Sequence, residues 1–320
     1  MEKKKTPRTR PLFFQEFGQE ARDLLRKGYL RQNRKLIKVS TCSTDGLTIE
    51  SSLFENRSGS ASAIRAVYDE KDKSIAAHFR STRLKDVDHM FDDSEISVRV
   101  AKARESPPPS ARPEISLYYP EYQDSGTFVT NLKLWCLPHR NAAVTFFADM
   151  PKICRKYSMS ASIGTPGIAF GMQGMLGLPF ISGGHFTVWD AGIQVTKSAC
   201  DASITLRLCC TKKGQIGYNK GHWLEASYVH YMDEAKKISA GVKMTLNLRT
   251  GRGRSTIGGS WVGEDDRTAV KARFDNRGIL KALLRHDIHD NARLSISSEY
   301  DVGEASGPRF GLALVLKPKN

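Results

Sequence analysis

Most of the chain alternates apolar and polar residues with a period of two, in segments of about 8–10 residues separated by short turns. In the segment 36–41, Ile37 and Val39 lie on one face of the predicted strand, whereas Lys38 and Ser40 lie on the other. Similar segments recur in both halves of the 320-residue chain. Repeated short strands with alternating faces predict an all-β protein.

One segment near the N-terminus has a helical period instead. Its apolar residues at helical spacing are Phe13, Phe14, Phe17, Ala21, Leu24 and Leu25. Gly28 follows two basic residues, which is typical of a helix C-terminus. We therefore predict one amphipathic helix over 11–30, preceded by a basic tail at 1–10. Periodicity alone fits an ordinary core or surface helix as well as it fits a helix with a functional role.

The sequence contains no uninterrupted run of about 20 apolar residues, the length that a transmembrane helix needs. The nearest candidate, 164–181, is uncharged but broken by glycines and prolines, so we expect strands and turns there. Only helices and closed barrels satisfy every backbone group in lipid, so a membrane location would require a barrel. Soluble sandwiches and propellers show the same alternation, which leaves the choice open at this point.

The composition narrows the classes of function. A net charge of +15 attracts polyanions, anionic lipid surfaces or small anions, without choosing among them. The six cysteines form no CxxC pair, which indicates reduced thiols. Cys136, His139 and Cys154 are too incomplete in spacing for a metal site. Since no catalytic arrangement is visible, we expect neither enzyme activity nor a cofactor.

Three stretches resemble the mitochondrial porin, or voltage-dependent anion channel, family. The segment 17–29 carries the pattern Phe-Gly, Ala-Arg-Asp and Lys-Gly-Tyr, which is similar to the family's N-terminal helix. The segment 268–278, TAVKARFDNRG, is similar to a late strand of plant members. The C-terminus resembles the signal by which mitochondrial barrels are recognised for insertion, and its matching residues are Arg309, Gly311, Leu314 and Leu316.

The resemblance implies a transmembrane antiparallel β-barrel of about 19 strands over 31–320, with the amphipathic helix inside the pore. Setting the helix aside leaves roughly 15 residues for each strand and its turn, which fits a spanning strand of about 9–11 residues. The segment 126–156 is richer in aromatics and prolines and is an uncertain insertion in this barrel. The implied function is a voltage-dependent anion-selective channel of the mitochondrial outer membrane, through which small hydrophilic molecules and anionic metabolites diffuse.

Basic side chains that face the lumen would give such a pore its preference for anions. The candidates are Arg22, Lys27, Lys38, Arg99, Lys243, Lys271 and Arg273. By the resemblance, Phe17, Leu24 and Leu25 would pack the helix against the wall. The implied partners are membrane lipid, small anions and metabolites such as nucleotides, the outer-membrane barrel assembly machinery and, as an open question, a second copy of the chain.

Departures from the family pattern leave alternatives open. The Gly-Leu-Lys motif associated with nucleotides is absent, and the corresponding region, 95–110, reads EISVRVAKARESPPPS. A helix lysine of many members is Gln19 here. One alternative is a non-conducting or protein-import barrel of the same superfamily. The other, a soluble basic nucleic-acid-binding β-protein, is disfavoured because the basic residues are spread along the chain instead of forming a stripe, so no nucleic-acid partner is expected.

Overall fold

The computed structural model describes residues 12–29, 35–43, 47–56, 59–70, 73–84, 96–102, 110–119, 129–150, 154–179, 186–211, 222–303 and 307–316. A 3-10 turn, Phe14–Glu16, and a helix α1, Gln19–Arg26, precede the strands. The strands are β1 Lys35–Cys42, β2 Leu47–Asn56, β3 Gly59–Glu70, β4 Lys73–Leu84, β5 Ile96–Lys102, β6 Ser110–Tyr119, β7 Val129–His139, β8 Ala142–Met150, β9 Cys154–Gly164, β10 Ile168–Pro179, β11 Phe186–Thr196, β12 Cys200–Thr211, β13 Trp223–Tyr231, β14 Ile238–Asn247, β15 Gly253–Val262, β16 Thr268–Asp275, β17 Ile279–His289, β18 Ala292–Asp301 and β19 Arg309–Leu316.

The described strands form one closed sheet. Each strand pairs antiparallel with its neighbours in the sequence, from β1–β2 to β18–β19. The ring is closed by parallel pairing of β1 with β19, in which Lys35 lies opposite Leu312 and Val39 lies opposite Leu316. The sheet therefore has 19 strands within the described residues, and the predicted antiparallel barrel of about 19 strands is confirmed.

The two faces of the barrel wall differ in polarity. On β14, the buried residues Ser239 and Lys243 alternate with the exposed residues Val242 and Met244. The same holds on the other strands whose side chains the structure describes, where large apolar side chains such as Ile163, 63% exposed, point away from the lumen. An apolar exterior and a polar interior are typical of a barrel that sits in lipid.

The N-terminal segment differs from the single helix predicted over 11–30. The 3-10 turn and α1 are separated at Gly18, which adopts a left-handed conformation with φ of +66°. This conformation ends one helical piece and allows the next to begin at a new angle. The predicted tail at 1–10 lies outside the described residues. None of the helices in the described part of the chain is long and apolar enough to cross a membrane.

The segment 126–156, which the sequence leaves as an uncertain insertion, supplies regular strands of the barrel. Most of it forms the hairpin of β7 and β8, and its last residues begin β9. The register of the hairpin shifts between Cys136 and His139, next to Pro138. This irregularity explains why alternation is hard to see in the sequence there.

The N-terminal segment packs on the inner wall at positions where the strands carry glycine. A Cβ added to Gly171 would lie 2.6 Å from a ring carbon of Phe14, and one added to Gly241 would lie 2.8 Å from a methyl carbon of Leu24. A glycine inside a strand often marks the close approach of another chain segment. These positions bring the helix directly against the backbone of the wall.

We predict that Gly171→Val lowers the free energy of unfolding by about 1–3 kcal/mol, because the added methyl groups displace Phe14 from the wall. Thermal unfolding in detergent measures the change. Gly253→Val is the matched control, since its nearest neighbour is at an ordinary 3.4 Å. Equal loss of stability in the two variants would contradict close packing at Gly171.

Candidate functional site

The candidate site is the lumen, with the N-terminal segment lying against one part of its wall. The 3-10 turn contacts β9 and β10, and α1 contacts β13 to β16. Leu12, Phe14 and Phe17 form one buried cluster with Ala169. The second buried cluster contains Ala21, Leu24, Leu25 and Val229. The predicted packing residues Phe17, Leu24 and Leu25 are thus all buried on the wall side.

Polar side chains of the wall hold the first part of this segment. Ser162 donates a hydrogen bond to the carbonyl oxygen of Leu12. Gln15 Nε2 donates to Thr145 Oγ1 over 2.9 Å, and the Phe13 ring meets Trp135 edge to face, with centroids 5.1 Å apart. The segment is therefore fixed by hydrogen bonds as well as by apolar packing.

Arg22, a predicted pore residue, closes the bend in the N-terminal segment. Its Nη1 atom donates to the carbonyl oxygen of Phe17 over 2.5 Å, and its Nη2 atom donates to that of Gln15 over 2.7 Å. The guanidinium group thus satisfies carbonyls that the break at Gly18 leaves outside α1. It retains its charge, but its position is set by the backbone.

Lys271 and Arg273, two further predicted pore residues, hold the C-terminal end of α1. Lys271 Nζ donates to the carbonyl oxygen of Asp23 over 3.2 Å, and Arg273 Nη1 donates to that of Leu25 over 2.7 Å. The last carbonyls of a helix have no partner within the helix and carry a partial negative charge. Two cations at this end therefore stabilise the docked helix.

Lys27 is the most exposed of the predicted pore residues on the helix. Its side chain is 72% exposed and forms an ion pair with Asp23, at 3.3 Å between Nζ and Oδ2. Arg26 beside it is also exposed. These two cations border the open part of the lumen.

Six of the described lumen-facing carboxylates pair with bases on neighbouring strands. The pairs are Glu50 with Lys38 at 2.9 Å, Glu225 with Lys243 at 2.6 Å, Asp190 with Arg207 at 2.7 Å, Asp275 with Arg254 at 2.5 Å, Glu299 with Lys281, and Asp287 with Arg293. Of the predicted pore residues, Lys243 thus belongs to a neutral pair, whereas Lys38 shares Glu50 with Arg65. Lys243 is only 6% exposed.

The remaining predicted residues lie elsewhere on the barrel. Arg99 is on β5, and its side chain is outside what the structure describes. Arg309, Gly311, Leu314 and Leu316 are on β19, the strand that closes the ring. Leu314 and Leu316 lie opposite Ile37 and Val39 of β1. Recognition of this strand by an assembly machinery stays a prediction.

Tyr29 follows the helix and lies beside Arg273. The guanidinium carbon of Arg273 lies 5.2 Å from the centre of its ring. Its hydroxyl group is buried, without a hydrogen-bond partner among the described residues. Burial raises the pKa of Tyr29 to about 12, against the opposing effect of the Arg273 charge.

Sequence reasoning missed the uncharged residues that hold the helix. Thr145, Ser162 and Gln194 bind it, yet each reads in the sequence as an ordinary polar residue of an alternating strand. The available signal was glycine on the inner face of strands, as at Gly171 and Gly241. Such glycines indicate that another segment comes close to the wall.

A closed barrel with an apolar exterior, a polar lumen and an N-terminal helix docked inside is a membrane pore of the porin class. The family model described as eukaryotic porin matches residues 125–311. The chain belongs to the eukaryotic porin family. Proteins of this family are channels, not enzymes.

Similar proteins are mitochondrial outer membrane porins of plants. The chain is 30% identical over 312 residues to mitochondrial outer membrane protein porin 2 of Arabidopsis thaliana, covering 96% of this chain and 99% of that one. It is 29% identical over 309 residues to mitochondrial outer membrane protein porin 5 of Oryza sativa subsp. japonica, covering 96% and 98%. It is 26% identical to the outer plastidial membrane protein porin of Pisum sativum, covering 96% and 99%.

The relatives from Arabidopsis thaliana and Oryza sativa confirm the predicted family and the predicted location, the mitochondrial outer membrane. They also support the predicted function, that of a voltage-dependent anion channel. The roles of individual lumen residues stay predictions.

We predict that Glu225→Ala lowers the free energy of unfolding by about 3 kcal/mol, because it leaves the buried Lys243 without its carboxylate. Denaturant unfolding in detergent measures the loss. The double variant Glu225→Leu, Lys243→Met removes both charges and should recover most of it. An unchanged midpoint for Glu225→Ala would show that water reaches Lys243.

We predict that Tyr29→Phe removes a tyrosine that ionises near pH 12. The raised pKa means that the neutral phenol stabilises the folded state fully below pH 10, and that this contribution is lost as the pH rises towards 12. A spectrophotometric tyrosine titration of the folded protein and the variant gives the difference. A difference spectrum with its midpoint near pH 10 would contradict the burial of Tyr29.

Proposed function

We propose that the chain forms a voltage-dependent, anion-selective channel of the mitochondrial outer membrane that passes small hydrophilic molecules and anionic metabolites such as nucleotides. The observation that carries this proposal is the excess of positive charge in the described lumen. Wall carboxylates such as Glu225 and Asp275 pair with a base, whereas Lys271 and Arg273 bind uncharged carbonyls of the helix. The positive charges of these two residues therefore remain available to solutes.

The described N-terminal segment is balanced in charge, so the excess comes from the wall. Its three bases, Arg22, Arg26 and Lys27, equal in number its three acids, Glu16, Glu20 and Asp23. In water, one pair of unit charges 4 Å apart is worth about 1 kcal/mol. Several such weak attractions concentrate anions in the lumen without trapping them, which suits rapid diffusion.

The predicted pore residues, and Arg26 beside them, differ in their contacts, and we propose different roles for them. We propose that Arg26 and Lys27, at the exposed end of α1, act directly on passing anions. Lys271 and Arg273 supply charge while they hold the helix. Lys38 and Lys243 contribute less, because each is held in an ion pair on the wall and is less exposed than Lys27. The role proposed for Arg99 depends only on its place in β5.

The partners of the channel follow from its surfaces. We propose that lipid covers the apolar exterior and that the barrel assembly machinery recognises β19 through Arg309, Gly311, Leu314 and Leu316. Association with a second copy of the chain is a further proposal, which crosslinking in lipid vesicles would test.

The defining experiment is reconstitution of the purified protein into planar bilayers with a salt gradient. Stepwise conductance with an anion-selective reversal potential supports the proposal. Insertion without conductance would leave a plugged barrel, and conductance that is blocked only by cationic peptides would favour the protein-import alternative. Failure to insert, together with salt-dependent binding to nucleic acid, would overturn the membrane channel.

We predict that Arg26→Glu together with Lys27→Glu lowers the permeability ratio of chloride to potassium about twofold to fivefold, since two attractive charges near the path become repulsive. The reversal potential measures this ratio. Arg267→Glu, in the exposed turn between β15 and β16, is the control and should leave the ratio unchanged. An equal effect of the control would assign selectivity to the overall charge and not to the helix.

A further inference from the structure

Gly18, the break between the 3-10 turn and α1, sits in a polar socket on the wall. We call this the Gly18 socket, and its residues are Gln194, Thr196, Asp201, Ser203 and Ser227. A Cβ added to Gly18 would lie 2.7 Å from Ser203 Oγ. With φ at +66°, the position also disfavours any side chain. The fit brings the backbone of the helix start into direct contact with β11 to β13.

One hydrogen bond joins the helix backbone to the socket. The Gly18 N–H donates to Gln194 Oε1 over 2.8 Å. Gln194 is only 2% exposed, so this bond is shielded from water. The donor belongs to the residue at which the N-terminal segment changes direction, and so the bond holds both helical pieces at their junction.

Asp201 fixes which end of the Gln194 amide faces the helix. The Nε2 atom of Gln194 donates to Asp201 Oδ1 over 2.6 Å, and Thr196 Oγ1 donates to Asp201 Oδ2 over 2.9 Å. An ionised carboxylate only accepts hydrogen bonds, so it draws the amide nitrogen towards itself. The amide oxygen is then the end that meets the Gly18 N–H, which needs an acceptor.

We infer that Gln194, oriented by Asp201, is a positioning residue that sets the placement of the N-terminal helix and thereby the width of the pore. Gln194 lies under the helix and acts on solutes only through it. Lys271 and Arg273 hold the C-terminal end of α1, and Ser162 and Thr145 hold the 3-10 turn. Loss of the Gln194 bond would loosen the N-terminal end of α1 at Gly18, between these two attached parts. The effect on pore width rests on the proposed channel function, whereas the placement of the helix by Gln194 does not.

The test changes the hydrogen-bonding groups of Gln194 and Asp201 while keeping the shapes of the two side chains. Gln194→Glu places two carboxylates face to face, whereas Gln194→Glu with Asp201→Asn restores a donor opposite an acceptor. Gln173→Glu, on the lumen side of β10, makes the same chemical change away from the Gly18 socket.

Hydrogen–deuterium exchange of the segment 12–26 in detergent micelles reports the docking of the helix, and single-channel recording reports the pore. Gln194→Glu should raise the exchange rate about tenfold and add current noise, because repulsion between two buried carboxylates moves the side chain at 194 away from the Gly18 N–H and one buried hydrogen bond is lost. The double variant should return both readouts to within about twofold of the parent, as Gln173→Glu should. Circular dichroism confirms the barrel in each variant.

Two results would overturn the inference. The first is parental exchange in Gln194→Glu. The second is a double variant as unprotected as Gln194→Glu, because Asp201 would then not set the orientation of the amide. If Gln194→Glu does not fold, Gln194→Ala removes the bond without adding charge, and parental protection there overturns the inference equally. If the exchange rates change as expected but the barrel does not conduct, the proposed channel function is rejected and the positioning role of Gln194 is retained.

Discussion

The parallel hydrogen bonds between β1 and β19 are the constraint on which the rest of this barrel depends. In a sheet of 19 strands with antiparallel neighbours, the first and last strands point the same way, so the ring closes only by parallel pairing. An open ring would leave two rows of unpaired backbone groups, which lipid does not tolerate. Closure also separates an inside from an outside, and every polar contact of the N-terminal helix relies on that separation.

Inside the ring, charge serves two purposes. Pairs such as Glu225 with Lys243 neutralise buried groups on adjacent strands. Lys271 and Arg273 instead bind the carbonyls at the end of α1. Since a carbonyl cancels no net charge, the lumen keeps a positive field where the helix ends. Holding the helix and attracting anions are thus compatible roles for the same side chains.

The fold could be predicted from the sequence because its main signal is local. The alternation of Ile37 and Val39 with Lys38 can be recognised within a single strand. The family resemblance supplied the number of strands. The division of the helix was missed, since periodicity continues across Gly18 while the backbone does not. The hairpin of β7 and β8 was left uncertain because its register shifts beside Pro138.

The candidate site was predicted less well, because its contacts are distant in the sequence. Lys271 and Arg273 were predicted as pore cations, but their carbonyl partners lie 248 residues away. Gln194 gave no signal of its own, and its importance comes from the neighbours that orient it. Periodicity assigns a side chain to a face of a strand, whereas only the assembled wall determines what that face meets.

The separation along the sequence between α1 and the strands that anchor it also determines when the helix can dock during folding. Phe17, Leu24 and Leu25 come before all the strands in the chain, yet the wall that buries the two leucines is built from β13 to β16. Until those late strands pair, the apolar face of the helix has no partner within the chain, and contacts of such long range form slowly. Docking of the helix is therefore a late step in assembly, and the unassembled chain carries an exposed amphipathic segment at its N-terminus throughout the earlier ones.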